Sequence, residues 1–145
     1  MNEMDIDQRR FLEDKIDDVL NRHPDHKQLF DKLLSIGGKQ VVATWEEDLS
    51  KIMSRGELLD GDDAMSVGGE PSQCHSNIAC IWRNDPDDII IFTGWALSDD
   101  DLWRQHSWAL DKLTGDILET TEPREKYFGF ALETGEAIEF DEGNF

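Results

Sequence analysis

The stretch "SQCHSNIACIWRNDPDDIIIFTGWAL", residues 72–97, holds the change of periodicity that decides the fold. In its first half Ile78, Ile81 and Trp82 recur at helical spacing, which predicts a helix starting near Ser72 or Gln73. Asn84-Asp85-Pro86 ends it, because a residue before proline is pushed out of the α region. The second half, "DIIIFTGWAL", is a run of branched and aromatic residues that reads as a strand.

Upstream of this seam the pattern is helical. "DIDQRRFLEDKIDDVLNR" places Phe11, Leu12, Ile16, Val19 and Leu20 on one stripe among charges. "HPDHKQLFDKLLSIGG" gives a second helix, with Pro24 near its start and Gly37-Gly38 at its end. "VVATWEEDLSKIMSRG" suits a third through Val42, Trp45, Leu49 and Ile52. Residues 56–72, with four glycines, a proline and several acids, read as a long loop.

Downstream, "LWRQHSWALDK", "DILETTE" and "KYFGFAL" are further short strands separated by acidic, Gly or Pro punctuation. The expectation is therefore α+β: N-terminal helices, one central helix carrying Cys74, and a C-terminal antiparallel meander packed behind it. With 145 residues the chain suits one domain, divided into a helical part (1–55), a loop (56–72) and a core (73–145).

Thirty-three acidic residues against fourteen basic ones give a formal charge of -19. That field repels phosphate backbones, so direct nucleic-acid binding is not expected, and it attracts basic partners. Two cysteines make no disulfide framework, and no apolar run reaches membrane-spanning length. A cytoplasmic protein without membrane attachment is the expectation.

Cys74 begins the central helix, where the helix dipole favours a thiolate. A thiol nucleophile needs a base, and His106, between Trp103 and Trp108, supplies an imidazole on the apolar face of a strand. A third group should orient that imidazole, and the next strand offers Glu119 and Glu122. If Leu113-Thr114-Gly115 closes the hairpin as a three-residue loop, His106 faces Glu122 and Glu119 faces Ala109. A longer loop moves Glu119 to the other face. Gln73 and the Cys74 N–H are candidate oxyanion donors, and Asn77, one turn on, holds the loop or touches substrate.

The series "CHSN", "GWAL", "WRQHSW", "ETT" and "YFG" resembles small bacterial and phage proteins related to the transglutaminase-like and papain-like superfamily, whose elements read C-H-x-N, G-x-A, H-x-W, D-P-T and Y-x-G. The resemblance spans about Gln73 to Leu132, under half of the chain. It implies a thiol nucleophile, Cys74, performing acyl transfer on an amide or ester of a protein or peptide-like substrate, with His106 as base. It also implies Glu119 as the orienting acid, since "ETT" stands where the family has D-P-T, with Glu for Asp and Thr120 for Pro. Glu119 is ranked ahead of Glu122 on that ground. No cofactor and no metal is implied.

Other residues carry plainer readings. Cys80, beside Ile78 and Ile81, is expected in the core; it cannot bridge to Cys74 within one helix, since six residues of rise separate them by about 9 Å. His75 reads as a hydrogen-bonding or substrate-contact residue. His23 and His26 lack further ligands for a metal site. "SDDD", residues 98–101, reads as a hairpin turn, and Trp45, Trp82 and Trp95 as core. Tyr127 and its neighbours suit either a cleft wall or an ordinary strand. The competing functional reading is a non-catalytic acidic protein that binds a basic surface as a nucleic-acid mimic would, indifferent to Cys74→Ser.

Overall fold

The structure, a computed structural model, describes residues 5–144. Helix α1 (Ile6–Arg22) starts at an N-cap, Asp5, whose side chain accepts from Gln8 N–H. A 3₁₀ turn at Pro24–His26 leads into α2 (Lys27–Ile36), which ends at Gly37. Next come β1 (Gln40–Val41) and α3 (Leu49–Arg55). The third helix is thus half the length its periodicity suggested. Val41 pairs in parallel with Trp103, and Val42 N–H continues to the Trp103 carbonyl, so the β-branched pair is used in the sheet. Trp45 falls outside the helix and is 57% exposed, not core.

Residues 56–72 are also more ordered than a loop. They contain β2 (Glu57–Asp60), a 3₁₀ turn at Gly61–Asp63 and β3 (Ala64–Ser66). These strands are short and mostly exposed, so they lack the apolar alternation by which a strand announces itself. Helix α4 (Cys74–Asn84) follows, then β4 (Ile89–Leu97), β5 (Leu102–Asp111), β6 (Ile117–Glu119) and β7 (Lys126–Ala131). The chain closes with α5 (Thr134–Gly143). That helix has two glycines and little amphipathicity; its sequence signal is the Glu133/Glu136 capping box.

The sheet order is β2-β7-β4-β5-β6-β3, with β1 also on β5. It is not the plain meander expected: β4, β5 and β6 run on consecutively, but β7 returns to the far side of β4. A three-residue turn joins β2 and β3, the two ends of the order, so the sheet curls upon itself. Between β4 and β5 the Ser98–Asp101 segment is the hairpin turn read from "SDDD", with Asp101 at φ 66°.

Strand alternation separates two cores. On one face Trp95, Leu97, Trp103, Phe128 and Phe130 pack against α1, α2 and α3, while Ile91 and Ala109 meet Ile78 of α4 and Ala137 of α5. On the other, inside the curl, Phe92, Trp108, Ile117 and Tyr127 pack together. Burying such side chains contributes about 1.5–3 kcal/mol each, enough to make the curl a core in its own right. Gly129 makes room there: a Cβ on it would lie 2.7 Å from Trp108 Cη2 and 2.4 Å from the Thr93 carbonyl. Trp82 is half-buried against the α4 and α5 cluster, and Cys80 is exposed on the opposite side of α4, contrary to its expected place in the core. Among the described residues no helix is long and apolar enough to cross a membrane.

Candidate active site

Strand β5 carries β4 along one edge for nine consecutive pairs. On its other edge β1 covers residues 102–103 and β6 covers 109–110. Among the described residues no strand lies against the interval between them. The N-terminus of α4 fills this gap, and the backbone N–H of Ser107, free of a sheet partner on that side, hydrogen-bonds the Cys74 sulfur. The N–H of His75 does the same.

Local sequence explains why the helix starts here. Ser72, at φ 60°, turns the chain sharply, and Asn77 clamps the preceding loop by accepting from Glu70 N–H and donating to the Glu70 carbonyl at 2.9 Å. Asn77 also reaches Thr120 Oγ1 at 3.3 Å. Of the two roles foreseen for Asn77, loop-holding is the one its contacts display. Gln73 is the exposed N-cap residue and its side chain makes no hydrogen bond to the helix end. The first turn carries no acid to oppose a thiolate.

The hairpin joining β5 to β6 decides the third residue. Asp111 N–H donates to the Asp116 carbonyl at 3.0 Å, so the loop is four residues, Lys112–Gly115, with Gly115 at φ 77°. The register pairs Ala109 with Leu118. Carried one residue further, it places Glu119 opposite Trp108, on the face that holds His106. The His106–Glu122 pairing drawn from a three-residue loop does not form, and Glu122 is exposed.

Glu119 Oε1 lies 2.7 Å from His106 Nε2, and both side chains are about 2% exposed. Nδ1 of His106 is thereby left for Cys74, with whose side chain His106 is hydrogen-bonded. Glu119 is itself held on both oxygens. Tyr127 donates its hydroxyl to Oε1 at 2.9 Å, and Thr121 donates its N–H and hydroxyl to Oε2 at 3.0 and 3.1 Å. Arg124 Nε stands 3.8 Å from Oε1 and braces Thr121 Oγ1 and Ser98. Rings of Trp108 and Tyr127, 4.8 Å apart and in contact with each other, lie to one side of the imidazole, each about 6 Å from it.

The charges follow from these contacts. Burial pushes the Cys74 thiol up, but its hydrogen bond to His106, the imidazolium charge and the two backbone N–H groups outweigh that, and its pKa lies below the ordinary thiol value. Burial likewise disfavours the His106 cation, yet Cys74 and Glu119 raise its pKa above that of a free imidazole. Glu119 is lowered despite burial, through His106, Thr121 and Tyr127. Beside a carboxylate and in the apolar curl, Tyr127 is raised, so it stays a donor. The three shifts agree in direction on a thiolate–imidazolium pair backed by an ionised carboxylate.

Sequence reasoning missed several members of this arrangement. Tyr127 comes from the "YFG" run, and its contact with Glu119 depends on β7 returning past β4, whereas Thr121 holds Glu119 locally, from two residues along "ETT". Ser107 reads from the sequence as an ordinary strand residue, and its N–H is available to Cys74 only because β1 and β6 leave a gap. His75 reaches Ser107 Oγ through Nδ1 at 2.6 Å, a hydrogen-bonding role as expected. Among the described residues no group of three or more His, Cys, Asp or Glu side chains is disposed to hold a metal.

Beside this site, on the helical face of the sheet, a cleft of about 600 Å³ runs between α5 and the Trp45–Asp48 segment. His75, Thr93 and Gln105 form part of its lining. Comparison with family models, with curated proteins and with solved structures finds no match for this chain.

Proposed function

We propose that the protein is a cysteine-dependent acyl-transfer enzyme acting on an amide of a protein or peptide-like substrate by hydrolysis, deamidation or transamidation. In this reading α4 with β4–β7 is a transglutaminase-like or papain-like core and works in the reducing cytoplasm, where the thiol survives. The observation that carries the reading is the hydrogen-bonded line Cys74–His106–Glu119, buried at the carboxylate end and half-buried at Cys74.

The Cys74 thiolate attacks the carbonyl carbon, forming the C–S bond, while the carbonyl oxygen takes the negative charge. The Cys74 N–H at the start of α4 is the nearest fixed donor for that oxyanion, and the Gln73 amide is free to join it. His106 then gives its Nδ1 proton to the departing nitrogen as the C–N bond breaks, leaving a thioester. Water or an amine, deprotonated by His106, attacks the thioester and returns the thiolate. Glu119 keeps the imidazole in the orientation that serves both proton transfers.

Covalent trapping tests the proposal. Incubation with p-nitrophenyl acetate should add one acetyl group, located on Cys74 by peptide mass spectrometry, in wild type and Cys80→Ser, and much more slowly in His106→Ala. Equal acetylation of Cys74 and Cys80, or no dependence on His106, would count against it.

A further inference from the structure

We infer that the cleft on the helical face binds an arginine or lysine side chain of a basic polypeptide and so sets the substrate class of the neighbouring thiol; this rests on the acyl-transfer reading above. The cleft is closed to one side by α5 and to the other by the segment leading into α3, and at about 600 Å³ it is of the size that holds a side chain with part of its backbone. His75, the residue after Cys74, is part of its lining.

The charge of the lining is one-sided: Glu46, Glu47, Asp48, Glu136 and Glu139 stand against one lysine, Lys51. His75 Nδ1 lies 2.6 Å from Ser107 Oγ, which lies 3.1 Å from Thr93 Oγ1, a hydrogen-bonded line that fixes the ring at the cleft. Burial and the charge of His106 lower the His75 pKa and favour the neutral ring, so His75 adds no positive charge there.

The carboxylates divide into two sets. Glu136 is spent on Arg55 and Lys51, and Glu46 accepts from Trp95, Gln105 and Asp48. Glu47 and Glu139, on opposite walls, are exposed and make no ion pair with the described residues. The lining's only lysine, Lys51, is already held 2.7 Å from Glu136. Trp45 adds an indole that is 57% exposed at the cleft, unusual for a residue this apolar and apt for the face of a guanidinium. Two unpaired carboxylates on opposite walls and an open aromatic face fit a donor-rich cation, whereas an anionic side chain would be repelled by Glu47 and Glu139.

The test uses the full chain carrying Cys74→Ser, so that binding is read without turnover, with N-acetyl-arginine amide as probe and N-acetyl-citrulline amide as its uncharged isostere. Amide chemical shifts are followed in ¹H–¹⁵N spectra. The expected result is saturable shifts confined to Trp45, Glu47, His75, Glu139 and their neighbours, about tenfold weaker for citrulline, with Kd rising about threefold for each of Glu47→Gln and Glu139→Gln. Both glutamates are exposed, so the variants keep the fold and the same spectra verify it. Equal binding of citrulline overturns the inference. So do shifts scattered over the acidic surface, or indifference to both glutamates. Because Cys74 is absent from this experiment, arginine binding here with an unreactive thiol in wild type would reject the enzyme reading alone, and the reverse would reject the cleft alone.

Discussion

At the scale of single residues, the thiol's reactivity depends on the carboxylate two bonds of the network away. Glu119 touches His106 but not Cys74, and it is fixed by Thr121 and Tyr127 so that its charge cannot turn away. In Glu119→Gln the amide keeps the shape and loses the charge. His106 then no longer holds its proton as firmly, and the Cys74 pKa moves back toward about 8.5, the ordinary thiol range. Alkylation by iodoacetamide at pH 6 should slow by about tenfold or more, a difference that timed quenching and intact mass will read. Tyr127→Phe is a milder change. It removes one of four hydrogen bonds to Glu119 and should cost about 1 kcal/mol of stability in urea unfolding while leaving the thiolate in place.

The element that matters most is the β5–β6 hairpin. Cys74, His106 and the pair of candidate acids were all legible in the chain, because a helix start and a strand histidine are local features. The choice between Glu119 and Glu122 was not, because it turns on whether the loop has three residues or four, and Lys112 is a passable end to either. Glu119 came first only on the family resemblance of "ETT"; the four-residue loop supplies the physical reason. Deleting Asp116 should keep the four-residue loop and draw β6 one pairing along β5, so that Glu119 falls opposite Ala109, on the other face. Circular dichroism should remain close to wild type, since β4 and β5 keep their pairing, while Cys74 titrates like a free thiol. Persistence of the shifted titration after the deletion would mean that Glu119 is not what sustains it.

Other elements escaped the sequence for related reasons. β2 and β3 bury little, so no apolar alternation marks them; they exist because the curled sheet offers β7 and β6 as templates. Val41 and Val42 joined β5 in preference to extending α3, a tertiary pairing overriding a weak helical pattern. The α+β class and the place of the core helix needed only periodicity, which is why they could be read.

Across the whole molecule, α5 ties α3 to α4. Glu136 joins α3 through Arg55 and Lys51, and Asp141 meets Arg83 of α4 at 2.6 Å. Its hydrogen bonds to Arg55 and Lys51 pull the Glu136 carboxyl down to about 2, with burial opposing. A depressed folded-state pKa stabilises the protein above the unfolded value, about 4.3, and that contribution is lost as pH falls from there toward 2. Glu136→Gln should therefore lower the Tm at pH 7, with the gap to wild type closing across that acid window and vanishing only below it. A gap that is constant with pH would assign the effect to packing instead. The surrounding charge of -19 works in the opposite sense on acidification, because protonation relieves repulsion, so the comparison is between the two proteins at each pH.

The central claim is that Cys74 is a thiolate held by His106, and the pH dependence of its alkylation by iodoacetamide addresses it most directly. Measured by intact mass in wild type, Cys80→Ser and His106→Ala, the first two should show Cys74 reacting with an apparent pKa well below about 8.5, and His106→Ala should abolish the shift. A Cys74 that is inert in the folded protein, or that titrates as a free thiol whatever stands at position 106, would contradict the account.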